Sequence, residues 1–155
     1  MKNRSIYIGC DAAGFRLKEE IKEYLCDKGY EIFDMGCDSE ESCHYPIFAE
    51  KVCLEVKKAP ENTFGILICG TGIGMSMCAN KHRGIRAALC GDTFSAEMTR
   101  KHNNANVLCM GARVIGSELA KRIADDFLAA DFEGGRHQTR LDMMADYEAE
   151  DRKKD

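Results

Sequence analysis

The chain has 155 residues, enough for one domain with a core that buries on the order of 70% of the unfolded surface. Its 45% apolar and 31% charged residues are ordinary for a globular protein, and a net charge of −4 with no Lys/Arg-rich run argues against a general nucleic-acid binder. The longest uncharged stretch, residues 62–80, is broken by glycines and polar side chains and reads as a turn between two short elements, not a membrane span.

Met1-Lys-Asn-Arg-Ser runs straight into a strand, which is not how a signal peptide begins. Ser5–Cys10 is the first expected strand, ending at Asp11-Ala-Ala-Gly14. Apolar residues at 17, 21, 24 and 25 make Phe15–Cys26 an amphipathic helix, closed by Lys28-Gly29. Tyr30–Phe33 is strand two, and a polar loop from Gly36 to His44 leads to Tyr45-Pro46, whose proline can start a helix running to Lys58. Strand three is the apolar run Ile66–Cys69; it breaks into Gly70-Thr-Gly-Ile-Gly74 and then a helix to Lys81. Strand four is Ile85–Cys90 with a helix over Phe94–Lys101, and strand five is Asn106–Met110 with a helix over Ser117–Ala129. Gly134-Gly135 opens a last helix from Arg136, expected to fray in the charged tail Glu148–Asp155. Strands alternating with helices, without repeat or linker, predict one domain over 1–155. Its class is α/β: a three-layer, doubly wound (Rossmann-like) fold with a five-stranded parallel sheet and a C-terminal helix.

Ligands in such folds bind beyond the carboxyl ends of the strands. Asp11, the segment Cys69–Gly74 and Arg113 all fall on that edge. The glycine loop is neither of the two common phosphate loops: no Lys-Ser or Lys-Thr follows Gly74, and the spacing is G-x-G-x-G in mid-chain, which speaks against a nucleotide-binding flavodoxin-like module. Successive N–H groups beside a helix N-terminus can form a concave anion site, with Cys69 on its rim. His102 does not fit within one subunit. It lies at the end of the helix after strand four, on the opposite edge, where a helix-capping role is the plain alternative. If it is catalytic, a second subunit must bring it to Cys69, which predicts a homodimer with shared sites.

Nine cysteines show no C-x-x-C spacing, and His44, His82, His102 and His137 form no H-E-x-x-H or Cys/His cluster, so no metal site is expected. Most cysteines sit in apolar runs as small hydrophobes, a usage that suits a reducing cytoplasm. Cys69 is the exception.

Taken together, Gly9-Cys-Asp11…Gly14, Tyr45-Pro46, Ile68-Cys69-Gly-Thr71-Gly-Ile-Gly74, Ala79-Asn80-Lys81, His102-Asn103…Asn106, Gly111-Ala-Arg113 and Glu133-Gly-Gly-Arg136-His137-Gln-x-Arg140 resemble the type B ribose-5-phosphate isomerase family, grouped with allose-6-phosphate and galactose-6-phosphate isomerases. The resemblance implies aldose–ketose isomerisation of a phosphorylated sugar through an enediolate, without metal or cofactor. It implies that Cys69 moves the proton between the two carbons; a cysteine acts as its thiolate, which a helix N-terminus favours. Thr71 with Gly70, Gly72, Ile73 and Gly74 would hold the enediolate oxygen, His102 would open the sugar ring, and Asp11 and Asn103 would position hydroxyls. Tyr45 falls in the matched Tyr45-Pro46 segment as a substrate contact, and Arg113, Arg136 and Arg140 match a phosphate clamp. The resemblance also leaves room for dimers to pair further.

One departure stands out: the family's usual His after the strand-one Asp is Ala12 here. Asp-Ala-Ala-Gly also occurs in one subunit type of the galactose-6-phosphate isomerases, which lacks the Cys-Gly-Thr-Gly-Ile-Gly block that this chain keeps. Losing one phosphate ligand enlarges the pocket and opens a second reading, a hexose 6-phosphate or another sugar phosphate as substrate. A third is a sugar-phosphate-binding protein without catalysis.

Overall fold

The computed structural model describes residues 4–151; Met1–Asn3 and the end of the charged tail, 152–155, lie outside the described residues. Five strands, β1 (Ser5–Cys10), β2 (Glu31–Asp34), β3 (Thr63–Cys69), β4 (Ala87–Leu89) and β5 (Val107–Gly111), form one sheet in the order β2-β1-β3-β5-β4, every pair parallel. They alternate with α1 (Phe15–Asp27), α2 (Tyr45–Lys58), α3 (Ile73–Ala79), α4 (Thr93–Asn103) and α5 (Ser117–Ala129), and α6 (Arg136–Asp151) closes the chain.

Side chains alternate across β3 and divide the core into two layers. Phe64, Ile66 and Ile68 pack with Leu17, Ile21 and Leu25 of α1 and with Ile123 and Phe127 of α5. Leu67 and Cys69 face the other way, onto Ala49, Val52 and Val56 of α2 and Met75 and Ala79 of α3. Cys69 therefore ends the central strand on the α2/α3 side, backed by Cys109, whose thiol burial pushes well up from the ordinary range.

Several element ends shift by one or two residues from the sequence expectation, and four differences stand out. β3 begins at Thr63 because Gly65 belongs to the strand: a Cβ there would stand 2.8 Å from Val52 and 3.0 Å from Val107, so the missing side chain lets α2 and β5 close on β3. β4 is only Ala87–Leu89, since Asn106 draws Arg86 out of the ladder, accepting its N–H at 2.8 Å and donating to the Gly84 carbonyl at 2.9 Å. α3 stops at Ala79, where the Asn80 side chain turns to bond both backbone groups of Ala87 at 2.8 and 2.9 Å. α6 stays helical through Asp151 instead of fraying from Glu148.

The chain leaves β1 toward β2 and returns across β1 to β3, so the carboxyl ends of β1 and β3 flank the switch-point crevice where α/β sheets take ligands. Cys10 is in register with Ile68, and Cys69 with Gly111. Asp11, Cys69 and the residues after Gly111 thus share one edge.

Candidate active site

Cys69 is 5% exposed, and its sulfur accepts the Gly72 N–H at 3.1 Å. Gly72 makes this possible with φ +77, a left-handed conformation; a Cβ there would lie 2.5 Å from Leu89 and 2.9 Å from the Met110 backbone. Thr71 is exposed at the loop tip, and its hydroxyl accepts the Ile73 N–H at 3.3 Å. Within the loop, the Gly72 and Ile73 N–H groups thus donate to Cys69 and Thr71. The loop is held to β5 by backbone bonds from Ala112 to Cys69 (2.9 Å) and from Arg113 to Gly70 (3.0 Å).

The other residues of this edge close around it. The Arg113 side chain crosses Gly70, where a Cβ would stand 3.5 Å from its guanidinium. The Tyr45 ring lies on Gly74, so close that a Cβ would meet it at 2.7 Å. Asp11 caps the 3-10 turn Ala12–Gly14, accepting the Gly14 N–H at 3.0 Å. The Ala12 backbone bonds the thiol of Cys43, which burial, then Cys37, pushes above the ordinary cysteine range.

His102, Asn103, Arg136 and Arg140 lie elsewhere in the chain. α4 ends in His102-Asn103, and Asn104 follows in the left-handed region with φ 45. Arg100, 5% exposed, locks that turn by donating to the Asn104 side chain (2.8 Å) and the Ala105 carbonyl (2.5 Å). Burial, then Arg4 and Arg86, lowers Arg100 to a pKa of about 10. The turn leads into β5 at Val107, which pairs with Gly65, so His102 sits at the opposite end of the sheet from Cys69, about 13 Å of strand away. Arg136 and Arg140 stand one turn apart on α6, and their charges act on the His137 ring. One chain thus carries the candidate residues in two separate clusters: Asp11, Tyr45, Cys69–Gly74 and Arg113 at one edge, His102, Asn103, Arg136 and Arg140 at the other.

The second cluster holds two further residues, to which the sequence reading assigns no catalytic or binding role. His102 and His137 stack with ring centroids 4.3 Å apart and planes within 10°, and Glu133 approaches both. The three could be mistaken for metal ligands. An imidazole binds metal in its own ring plane, however, and two stacked rings direct their lone pairs along separate planes, not at one ion. The sequence signal was the Glu133-to-Arg140 block, but nothing in it tells that His137 meets α4.

Two clefts, of about 540 and 530 Å³, open on the surface: one beside Lys18, Asp34 and Cys37, the other beside Arg86, Leu141 and the Asn103 of the second cluster. Neither includes Cys69, whose edge stands open in a single chain.

The model of the family described as Ribose/Galactose Isomerase matches residues 6–144. The chain is 49% identical to ribose-5-phosphate isomerase B of Escherichia coli (strain K12) over 141 residues, 91% of this chain and 94% of that protein. It is 46% identical to the D-erythrulose-4-phosphate isomerase of Pectobacterium atrosepticum, over 96% of this chain and 97% of that one. A ribose-5-phosphate isomerase B structure from Mycoplasma genitalium with bound ribulose 5-phosphate superimposes with a TM-score of 0.93 at 43% identity, covering 97% of this chain and 99% of that one.

Proposed function

The chain belongs to the ribose/galactose isomerase family, and from that premise we propose that it interconverts ribose 5-phosphate and ribulose 5-phosphate. The observation that carries the reading is Cys69 at the switch-point crevice, its sulfur held by the glycine loop. It stands at the end of the matching strand of a fold that in a relative holds ribulose 5-phosphate.

Isomerisation needs a hydrogen to leave C2 of the aldose and return at C1, with an enediolate between. One base on one face of the sugar can do both, and Cys69 takes that role. The oxygen charge that develops meets the Thr71 hydroxyl and the amides of residues 70–74, where Gly72 and Ile73 exchange their local partners for the substrate. Preorganised donors of this kind contribute about 3–4 kcal/mol each. Ribose 5-phosphate closes to a furanose through O4, whereas ribulose 5-phosphate, with O5 esterified, stays open. The forward reaction therefore begins with ring opening, the role of His102. Asp11, Asn103 and Tyr45 orient the sugar, and Arg113, Arg136 and Arg140 clamp the phosphate.

These residues form one site only if a second copy supplies the His102 half, so we assign a homodimer with shared sites. Exposed Ile73, Met77, Leu89, Phe94 and Val114 rim the open Cys69 edge and support a protein cover there. We place the enzyme in the cytoplasm: all nine cysteines are free thiols, and no helix among the described residues is long and apolar enough to cross a membrane.

Steady-state assays on ribose 5-phosphate, allose 6-phosphate and galactose 6-phosphate test the reading. Turnover on ribose 5-phosphate is expected with kcat/KM above about 10⁴ M⁻¹s⁻¹, and Cys69→Ala should abolish it while ribulose 5-phosphate still raises Tm. Full activity in Cys69→Ala would remove the thiol from the mechanism. Weak pentose turnover that rises in Ala12→His would favour the longer substrates for which the smaller Ala12 leaves room.

A further inference from the structure

The last turn of α4 and the first turn of α6 meet through two imidazoles, those of His102 and His137, stacked at 4.3 Å. Glu133 Oε2 lies 4.0 Å from His102 Nε2 and 3.7 Å from His137 Nε2. The carboxylate is anchored to the turn that carries His102, because the Glu133 N–H donates to the Lys101 carbonyl at 3.0 Å. Gly134 and Gly135, with φ 66 and 55, then reverse the chain so that α6 starts at once and sets His137 against His102. The two rings differ in access: the His137 side chain is 7% exposed and the His102 side chain 38%.

We propose that Glu133 and His137 are positioning residues for ring opening by His102, the stacked ring fixing its plane and the carboxylate balancing its charge. The inference rests on the reading of His102 as the ring-opening group. In that step the proton of the C1 hydroxyl passes to a nitrogen of His102 and a C1=O bond forms. The C1–O4 bond breaks, its electron pair stays on O4, and O4 takes a proton from His102, which ends as it began. An imidazole in this role passes through its charged form, and a carboxylate at ion-pair distance stabilises that form, as the aspartate does in a serine-protease triad.

His137 fits the same logic. Burial, then His102, Arg136 and Arg140, holds it below the ordinary histidine range against the opposing pull of Glu133. It is the neutral partner, adding no second positive charge beside an imidazolium. A stack serving helix packing alone needs no carboxylate reaching both rings.

Two assays separate the step from the rest. Ribose 5-phosphate turnover needs ring opening. Exchange of a C1 hydrogen of ribulose 5-phosphate in D2O, read by NMR, needs only the Cys69 step on an open chain. Glu133→Gln and His137→Ala should lose about tenfold or more of turnover yet keep exchange within about twofold, and His137→Phe, a neutral ring, should restore most of the loss. Glu133→Gln lies in an exposed loop and tests the idea even if His137→Ala misfolds. Turnover and exchange falling together would make the pair structural and overturn the proposal. A split in His102→Asn but not in Glu133→Gln would overturn it while the ring-opening role stands; no split in His102→Asn would remove that role and the proposal with it.

Discussion

Gly72 shows how much a single residue can carry. Its φ of +77 turns the amide onto the Cys69 sulfur, and the space a Cβ needs is filled by Leu89 and the Met110 backbone. Gly72→Ala therefore meets a left-handed penalty of about 1–2 kcal/mol plus a clash with backbone that cannot step aside. A fall in Tm by thermal melting and loss of turnover are expected together; an unchanged Tm would mean the loop can rebuild itself. At this scale the sequence was readable where chemistry is local. Cys69, Thr71 and the glycines announce a strand-to-loop transition with a thiol on its rim, and the structure has that transition. It was silent where the partner is distant. Nothing in His137 announces His102, which lies 35 positions earlier on another helix, and nothing in Cys43 announces the Ala12 backbone.

Elements were legible in kind and less so in extent, because side chains from other elements set their ends. Asn106 and Asn80 shorten β4 and α3 by competing for backbone groups, and Gly65 lengthens β3 by letting α2 approach. The apolar face of α1 gave no sign that Lys18 would be buried. It is 1% exposed, and its ammonium donates to Asp34 at 2.7 and 2.8 Å and to the Cys37 carbonyl at 2.8 Å, tying α1 to the end of β2 and the loop beyond. Burial alone would raise the Asp34 carboxyl, but Lys18 and Lys22 outweigh it and hold Asp34 below its ordinary range; burial would lower Lys18, but Asp34 and Glu19 outweigh it and raise it. The folded Asp34 value is below the unfolded one, so its stabilisation is complete above about pH 4 and is lost as pH falls through the folded value. Lys18 contributes at all pH values below about 10.4 and loses its contribution only as pH rises through its higher folded value. Asp34→Asn should cost about 3 kcal/mol or less near pH 7, since Glu19 remains 2.9 Å from Lys18, and the variant should lack part of the wild-type fall in stability below about pH 4. Parallel denaturation curves for the two proteins across that range would refute the pairing as a source of stability.

For the whole molecule, the order β2-β1-β3-β5-β4 makes Cys69 central and sends His102 to the other end of the sheet. The helix after β4 must run back against its strand before β5 can begin, so its last turn opens at the amino edge while the glycine loop opens at the carboxyl edge. No side-chain rotation brings them together, and the separation follows from connectivity. If chemistry needs both, the functional unit is two chains, each giving one half of each site. Cys69→Ala and His102→Asn should each be inactive on ribose 5-phosphate. Mixed after unfolding and refolding together, they make roughly half of the dimers mixed, and each mixed dimer has one site with both residues intact and one with neither. Turnover should return to about a quarter of wild type at equal amounts and vary with the mixing ratio as a product of the two fractions. A mixture as inactive as its components would mean that Cys69 and His102 do not meet across two chains, and the two clusters would then need a different explanation.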